Sequence, residues 1–287
     1  MSRNSTLSAA ALALLPLWSL AADPAAAVDK SAYTLFNRTP ESQLRELTTD
    51  RPDVTESPYT VDAGWWQLEM DLVAHTRDHN LSDGADIKSS ALSFATVNLK
   101  VGLTSRIDLQ TVFATYNRLS VRDRVAGTRQ DSSGFGDVTS RLKINFWGND
   151  GGESAFGLMP FVKWPTSQHG LGNNSLEGGL IVPYAHSLPH GWDLGTMTEF
   201  DVVRNDTDNG YLFEWVNTVT AGHALTGNTG CYVELATTLT HGADIATFDF
   251  GVTYTIGKNL QLDLGANVGL THAADDLNVF AGLSVRF

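Results

Sequence analysis

Apolar and polar side chains alternate from Trp66 to the final residue, Phe287, and this period of two constrains the fold more than any other feature. In the first run Trp66, Leu68, Met70, Leu72 and Ala74 alternate with Gln67, Glu69, Asp71, Val73 and His75. Successive side chains of a strand point to opposite faces, so this is a strand with one oily and one polar side. Similar runs follow over 91–103, 107–118, 138–146, 158–164, 180–186, 194–202, 213–221, 231–239, 248–256, 260–270 and 279–287. The second places Ala91, Ser93, Ala95, Val97, Leu99, Val101 and Leu103 on its oily face. The last places Val279, Ala281, Leu283, Val285 and Phe287 there. No oily-face position holds Asp, Glu, Lys or Arg, although these make up 18% of the chain. A soluble sandwich also alternates, but its polar side is the outside. About twelve strands is an even number, as in single-chain outer-membrane barrels. The pattern predicts an all-β chain, a transmembrane antiparallel up-and-down β-barrel of about twelve strands.

The connections support this reading. Thr104-Ser105, 148–152, 188–191, 226–229 and 257–259 are tight turns, whereas 77–87, 120–133, 165–175, 204–210, 240–245 and 271–278 are mostly longer. Short periplasmic turns and longer outer loops characterise such barrels, which puts both termini on the periplasmic side. Outward aromatics cluster near strand ends: Trp66, Phe146, Tyr184, Tyr254 and Phe287 at the turn level, and Trp164, Phe213, Trp215 and Phe248 at the loop level. These are the expected interfacial girdles.

Ahead of the barrel lie two other segments. Residues 1–27 carry Arg3, an apolar stretch from Leu7 to Leu20 and small-residue cleavage patterns at Ser19-Leu20-Ala21 and Ala25-Ala26-Ala27. They read as a secretory signal peptide, in preference to a single helical anchor. Residues 28–63 are polar, with Pro52 and Pro58 excluding a regular helix or central strand nearby. Thr39-Pro40-Glu41 suggests a short helix through Leu44 and Leu47. Residues 64–287 form the barrel. With 19 Lys and Arg against 32 Asp and Glu, a net charge of −13, the chain is too acidic for a nucleic-acid partner. Its one cysteine, Cys231, excludes an internal disulfide and a multi-cysteine metal site.

The segment Leu47-Thr48-Thr49-Asp50-Arg51-Pro52-Asp53-Val54-Thr55-Glu56-Ser57-Pro58, running on to Gln67-Leu68-Glu69, resembles the start of a known family. Asn98-Leu99-Lys100-Val101-Gly102-Leu103, Gly134-Phe135-Gly136-Asp137-Val138 and Met159-Pro160-Phe161-Val162-Lys163 extend the likeness. The family is the transporter-like outer-membrane proteins labelled "putative MetA-pathway of phenol degradation". The resemblance covers about residues 40–287 and implies an outer-membrane barrel that takes up small organic molecules. It brings no catalytic residues. The chain's alternating last strand and terminal Phe287 resemble the assembly signal of such barrels, implying contact with the barrel-assembly machinery. Outer-membrane lipid, lipopolysaccharide and a small solute are the other expected partners.

Twelve strands at ~4.8 Å spacing and ~40° tilt give a diameter of roughly 24 Å, and inward side chains narrow the lumen to ~10 Å or less. The inward charges divide unevenly. Lys100, Arg118, Arg141, Lys143 and Lys163 lie on the second to fifth strands; Glu199, Asp201, Glu214, Glu234, Asp249 and Asp263 lie on the seventh to eleventh, with Glu69 and Asp71 on the first. The expectation is a basic wall facing an acidic wall, a transverse field that orients dipolar solutes; the alternative is that these charges pair across the lumen and fill it. Asp50, Arg51, Asp53 and Glu56 belong to a segment that either enters the lumen as a plug, its acids meeting Arg141 and Lys143, or hangs free as a periplasmic tail.

No catalytic or cofactor motif is present. Asp78-x-Asn80-x-Ser82-Asp83-Gly84 begins like a calcium loop, but Ser89 stands where the bidentate acid belongs, and no metal or cofactor is read from the chain. Loop acids such as Asp83, Asp86, Asp206, Asp208, Asp275 and Asp276 are expected to hydrate the surface and to share divalent ions with lipid head groups. An outer-membrane lipid-acting enzyme would need Ser, His and an acid or amide together on the lipid-facing outer-leaflet side; the outward polar residues include His186 and Asn217, but His186 falls near the short-turn end, the wrong leaflet, and is expected to have no outward serine with it. A channel for small solutes is the favoured reading, with a structural barrel of closed lumen as the alternative.

Overall fold

A computed structural model of the chain describes residues 29–81, 84–205, 210–241 and 243–287. The signal-peptide residues and the loop acids Asp83, Asp206 and Asp208 lie outside them. Thirteen strands follow in order: β1 (Trp66–Asn80), β2 (Ile87–Thr104), β3 (Ile107–Asp123), β4 (Thr128–Gly134), β5 (Val138–Trp147), β6 (Ser154–Trp164), β7 (Glu177–Leu188), β8 (Trp192–Arg204), β9 (Tyr211–Thr226), β10 (Thr229–Thr240), β11 (Ala243–Ile256), β12 (Leu260–Gly269) and β13 (Leu277–Arg286). Each pairs antiparallel with its neighbours, and β1 pairs with both β2 and β13, so the sheet closes. Both β4 and β5 pair with β3, one with its outer half and one with its inner half. They form a single stave interrupted at 135–137, and the barrel therefore has twelve staves. The last residue completes the seam: Phe287 N–H donates to the Trp66 carbonyl (2.9 Å), and Trp66 N–H donates to that of Phe287 (3.0 Å).

The burial pattern is that of a soluble protein turned inside out. Gln67, Glu69, Lys100, Asp108, Gln110, Lys143, Glu234 and Asp249 are buried, whereas Trp66, Trp164, Phe213, Trp215, Phe248, Phe250, Val252, Tyr254 and Leu264 are exposed. In lipid that exposed surface is the buried one, and a closed sheet leaves no unpaired edge in the hydrocarbon. Outward Asn217 fits because it accepts a hydrogen bond from Thr198 Oγ1 (3.0 Å), which in turn accepts one from Trp215 Nε1 (2.7 Å).

Three sequence expectations are corrected. Residues 120–133 are largely paired: β3 and β4 extend as a hairpin that turns at 124–127. Strand propensity there is masked in the sequence by polar residues on both faces. The helix expected from Thr39 to Leu47 is one 3-10 turn, Glu41–Gln43, without a side-chain cap. Thr39 N–H instead donates to the Ala63 carbonyl, tying the segment to the barrel.

The third correction concerns which side residues face. A bulge between Asp71 and Val73 shifts the β1–β13 register: Asp71 lies opposite Gly282, but Val73 lies opposite Ala281. Partners directly opposite share a face, so a one-residue slip exchanges the two faces above it. Ala74, paired with inward Phe280, faces the lumen, and His75, paired with Val279, faces out. The exchange passes to β2 through Val73↔Phe94, next to Ala95 in the left-handed region (φ 49°), and to β3 through Phe94↔Tyr116. Ala91 and Ser93, expected on the oily side, thus turn inward, while Phe94 and Tyr116 are exposed and pack on each other at 6.4 Å.

Candidate functional site

The lumen is occupied by the chain's own N-terminal segment. Two prolines leave residues 50–58 without regular structure, so their backbone groups need partners other than a helix or strand ladder. The inward charges of the wall supply them. Asp50 is buried between two lysines: Lys143 Nζ donates to both its oxygens (2.5 and 2.7 Å), and Lys100 pairs with it and with Glu69. Glu69 also accepts from Asp50 N–H (3.0 Å). Glu56 pairs with Arg141. On the opposite side Arg51 reaches Asp71 (2.7 Å) and Asp263 (2.6 Å). Its guanidinium crosses against Gly282, where a Cβ would stand 2.2 Å from it. Glu234 accepts from Val54 N–H and Thr55 N–H, both at 2.8 Å. The segment thus gives Asp50 and Glu56 to the basic wall, and its cation and the Val54 and Thr55 amides to the acidic wall; Asp53, expected to meet the basic wall, lies instead beside Glu234.

The other predicted lumen residues fall into different places. Glu199, Asp201 and Glu214 line the lumen beyond the segment on β8 and β9, with Arg141 within electrostatic reach of Glu199. Asp249 is fully buried and accepts from Thr247 Oγ1 (3.1 Å). Lys163 stands at the loop end of β6, paired with Glu177 (2.6 Å) and Asp137 (3.8 Å) rather than with the segment. Arg118 lies above the register shift, paired across strands with Leu92; it faces out, 57% exposed, with Asp131 at 4.0 Å. It belongs to the outer surface and not to the lumen.

Burial acts on the segment's carboxyls in opposite senses. Burial alone would raise Asp50, but Lys100 and Lys143 outweigh it and hold its carboxyl well below the usual range. Burial and then the Asp50 charge push Glu56 up to about 7, with Arg141 offsetting only part of this. Burial and then Glu234 drive Asp53 well above its ordinary value.

Two features escaped the sequence reading. A latch at the turn end holds the segment: Arg45 donates to Asp150 (2.9 Å), to the Thr60 carbonyl (3.0 Å) and to the Ser105 carbonyl (2.6 Å). Buried Asp62 accepts from Arg45 N–H (3.0 Å) and lies near Lys30 and Arg286. These partners are up to 241 residues apart, as in Arg286 to the Arg45 carbonyl (2.9 Å), and no local signal marks them. The second is an apolar facet inside the lumen, Met159, Ile181 and Met197 with Phe161 and Val216 packed against them. Its signal was present: inward positions of β6 and β7 are apolar as well as outward ones.

Comparison with known proteins agrees with this architecture. Among solved structures, the chain is similar to an outer membrane channel from Pseudomonas putida F1, at 15% identity and TM-score 0.59, over 84% of this chain and 100% of that one. It is also similar to the translocator domain of autotransporter NalP from Neisseria meningitidis, at 8% identity and TM-score 0.50, over 78% and 88%. At such identities the likeness is one of fold: an outer-membrane β-barrel. No protein of curated function matches the chain. The profile of the family described as "Putative MetA-pathway of phenol degradation" matches residues 49–287, which include both the barrel and the lumen segment, and the chain belongs to that family.

Proposed function

We propose that the protein is an outer-membrane channel for small organic solutes, closed at rest by residues 48–60. The observation that carries this reading is how the segment is held. It is seated by charge pairs and by hydrogen bonds to side chains of the wall, all of which water can replace once the segment leaves. In a barrel filled by its own wall these inward charges would pair with one another across the lumen, whereas Lys143, Arg141 and Asp263 pair with the segment. The Met159–Ile181–Met197 facet, set in an otherwise charged wall, suits a solute with an apolar body and a polar end. The family description and the name of the Pseudomonas putida outer membrane channel point the same way. The short-turn side, where the segment enters and Phe287 ends, is then periplasmic, in keeping with chain export.

Planar-bilayer recording tests the reading. The full chain should be mostly silent with rare openings, and a chain lacking residues 28–62 should conduct in steady steps. A folded but silent deletion variant would support the structural barrel instead.

A further inference from the structure

The register shift that turns Arg118 outward builds a surface on β1–β4. Above the shift, the outward positions are His75, Arg77 and His79 on β1, Lys88, Ser90 and Leu92 on β2, Arg118, Ser120 and Arg122 on β3, and Arg129, Asp131 and Ser133 on β4. Five of the chain's 19 Lys and Arg residues stand on this one face, in a protein of net charge −13. Asp131 is its only acid at these positions and is shared by Arg129 (2.8 Å) and Arg118 (4.0 Å). Among the described residues, no carboxylate lies within 4.0 Å of Arg77, Lys88 or Arg122. These three, with Arg129, Ser90 and Ser120, line a shallow cleft of about 380 Å³, whose acids are Asp78 and Asp276.

The height of this surface identifies its partner. Phe94 and Tyr116, exposed and packed against each other on the same outward face, mark the edge of the hydrocarbon. At ~3.4 Å per residue and ~40° tilt, Arg118 stands about 5 Å above Tyr116 and Arg122 about 16 Å above it. That is the level of lipid head groups. Arginine forks bind phosphate bidentately, and the stems of Lys and Arg lie along apolar surface. With the termini in the periplasm, as proposed above, the face lies in the outer leaflet. We infer that the outward basic face of β1–β4 is a binding site for the phosphates of lipopolysaccharide.

The full chain, refolded in detergent free of lipopolysaccharide, tests this by native mass spectrometry with bisphosphorylated lipid A as the probe. Lipid A should bind the native protein. Binding should fall about tenfold or more in a variant carrying Arg77→Gln, Lys88→Gln, Arg118→Gln, Arg122→Gln and Arg129→Gln. Arg106→Gln with Lys258→Gln, on the short-turn side, should leave it unchanged. Lipid A stripped of phosphate should bind the native protein as weakly as the fivefold variant binds lipid A, and inorganic phosphate in excess should not displace the lipid. Native-like binding by the variant, or equal binding of the phosphate-free lipid, overturns the inference. Complete displacement by inorganic phosphate also overturns it, in favour of a free-anion site. Folding of each variant is checked by heat-modifiable gel mobility. If the fivefold variant does not fold, Arg77→Gln with Arg122→Gln, which breaks no ion pair among the described residues, serves in its place. Conductance plays no part in these measurements, so their outcome is independent of the channel proposal.

Discussion

Asp50→Asn isolates the charge that anchors the lumen segment. The substitution keeps the shape and the Oδ1 that accepts from Ser57 N–H (2.9 Å) and Ser57 Oγ (2.6 Å). It removes the countercharge of Lys143, which is fully buried and has no other carboxylate within 4.0 Å among the described residues. Lys100 keeps Glu69. Leaving one buried charge unpaired costs ~3–5 kcal/mol. That cost falls on the seated state alone, because in the released state both lysines face lumen water. At 1.4 kcal/mol per tenfold, the lower figure of ~3 kcal/mol shifts the seated-to-released ratio by about 10²-fold. Single-channel recording should therefore show open time rising by about two orders of magnitude over the native chain. Adding Lys143→Gln should return much of the closure, since it removes the stranded charge. An Asp50→Asn channel as quiet as the native one, in the same assay where loss of residues 28–62 opens it, would refute the anchoring argument.

Other consequences are as direct. Glu56, pushed up to about 7 when seated, binds its proton more tightly there than in the released segment, whose carboxyl has an ordinary value of 4.5. The seated state thus gains from Glu56 below that ordinary value and loses the gain as pH rises toward 7; open time should be greater at pH 8 than at pH 5, and Glu56→Gln should reduce that difference, leaving the part that Asp53 contributes. Asp50 has the opposite sign, its contribution being lost only in more acid solution, while Asp53, raised by burial and Glu234, acts in the same sense as Glu56. In a chain lacking residues 28–62, Arg141→Glu with Lys143→Glu should move the reversal potential in a salt gradient toward cation selectivity; no movement would reject the transverse field. At Gly102 an added Cβ would sit 2.2 Å from the Asp62 carbonyl oxygen. Gly102→Ala should accordingly displace the latch at a cost of ~1–3 kcal/mol and speed proteolysis within residues 29–62. Phe287→Ala, which removes an outward ring at the β1–β13 seam and the terminal aromatic, should lower the folded fraction on unheated gels.

Much of the architecture is legible in the sequence because it rests on a local rule. Alternation fixes which residues meet lipid as long as the strand is regular, and it locates the staves, the girdle residues Trp66, Trp164 and Phe248 and the inward Lys100, Lys143, Glu69 and Glu234. It fails at Arg118 for a definite reason. A single extra residue at Asp71–Val73 reverses the face of everything above it on β1, and the hydrogen-bonded ladder carries the reversal to β2 and β3. Nothing in the composition of β1 announces the bulge.

The sequence by itself determined that the chain must close into a barrel, because strands without a charge on one face can satisfy their backbone groups in lipid only by pairing in a ring. It also determined that the polar half of the chain must go inward or to the rims. Only the tertiary structure decided what fills the ring. Asp50, Arg51, Val54 and Glu56 lie within seven residues of one another, yet their partners come from β1, β2, β5, β10 and β12. Those staves come together around one axis only when β1 meets β13. Charge complementarity between a short segment and a closed wall is a property of that closure, and it has no period for the sequence to display.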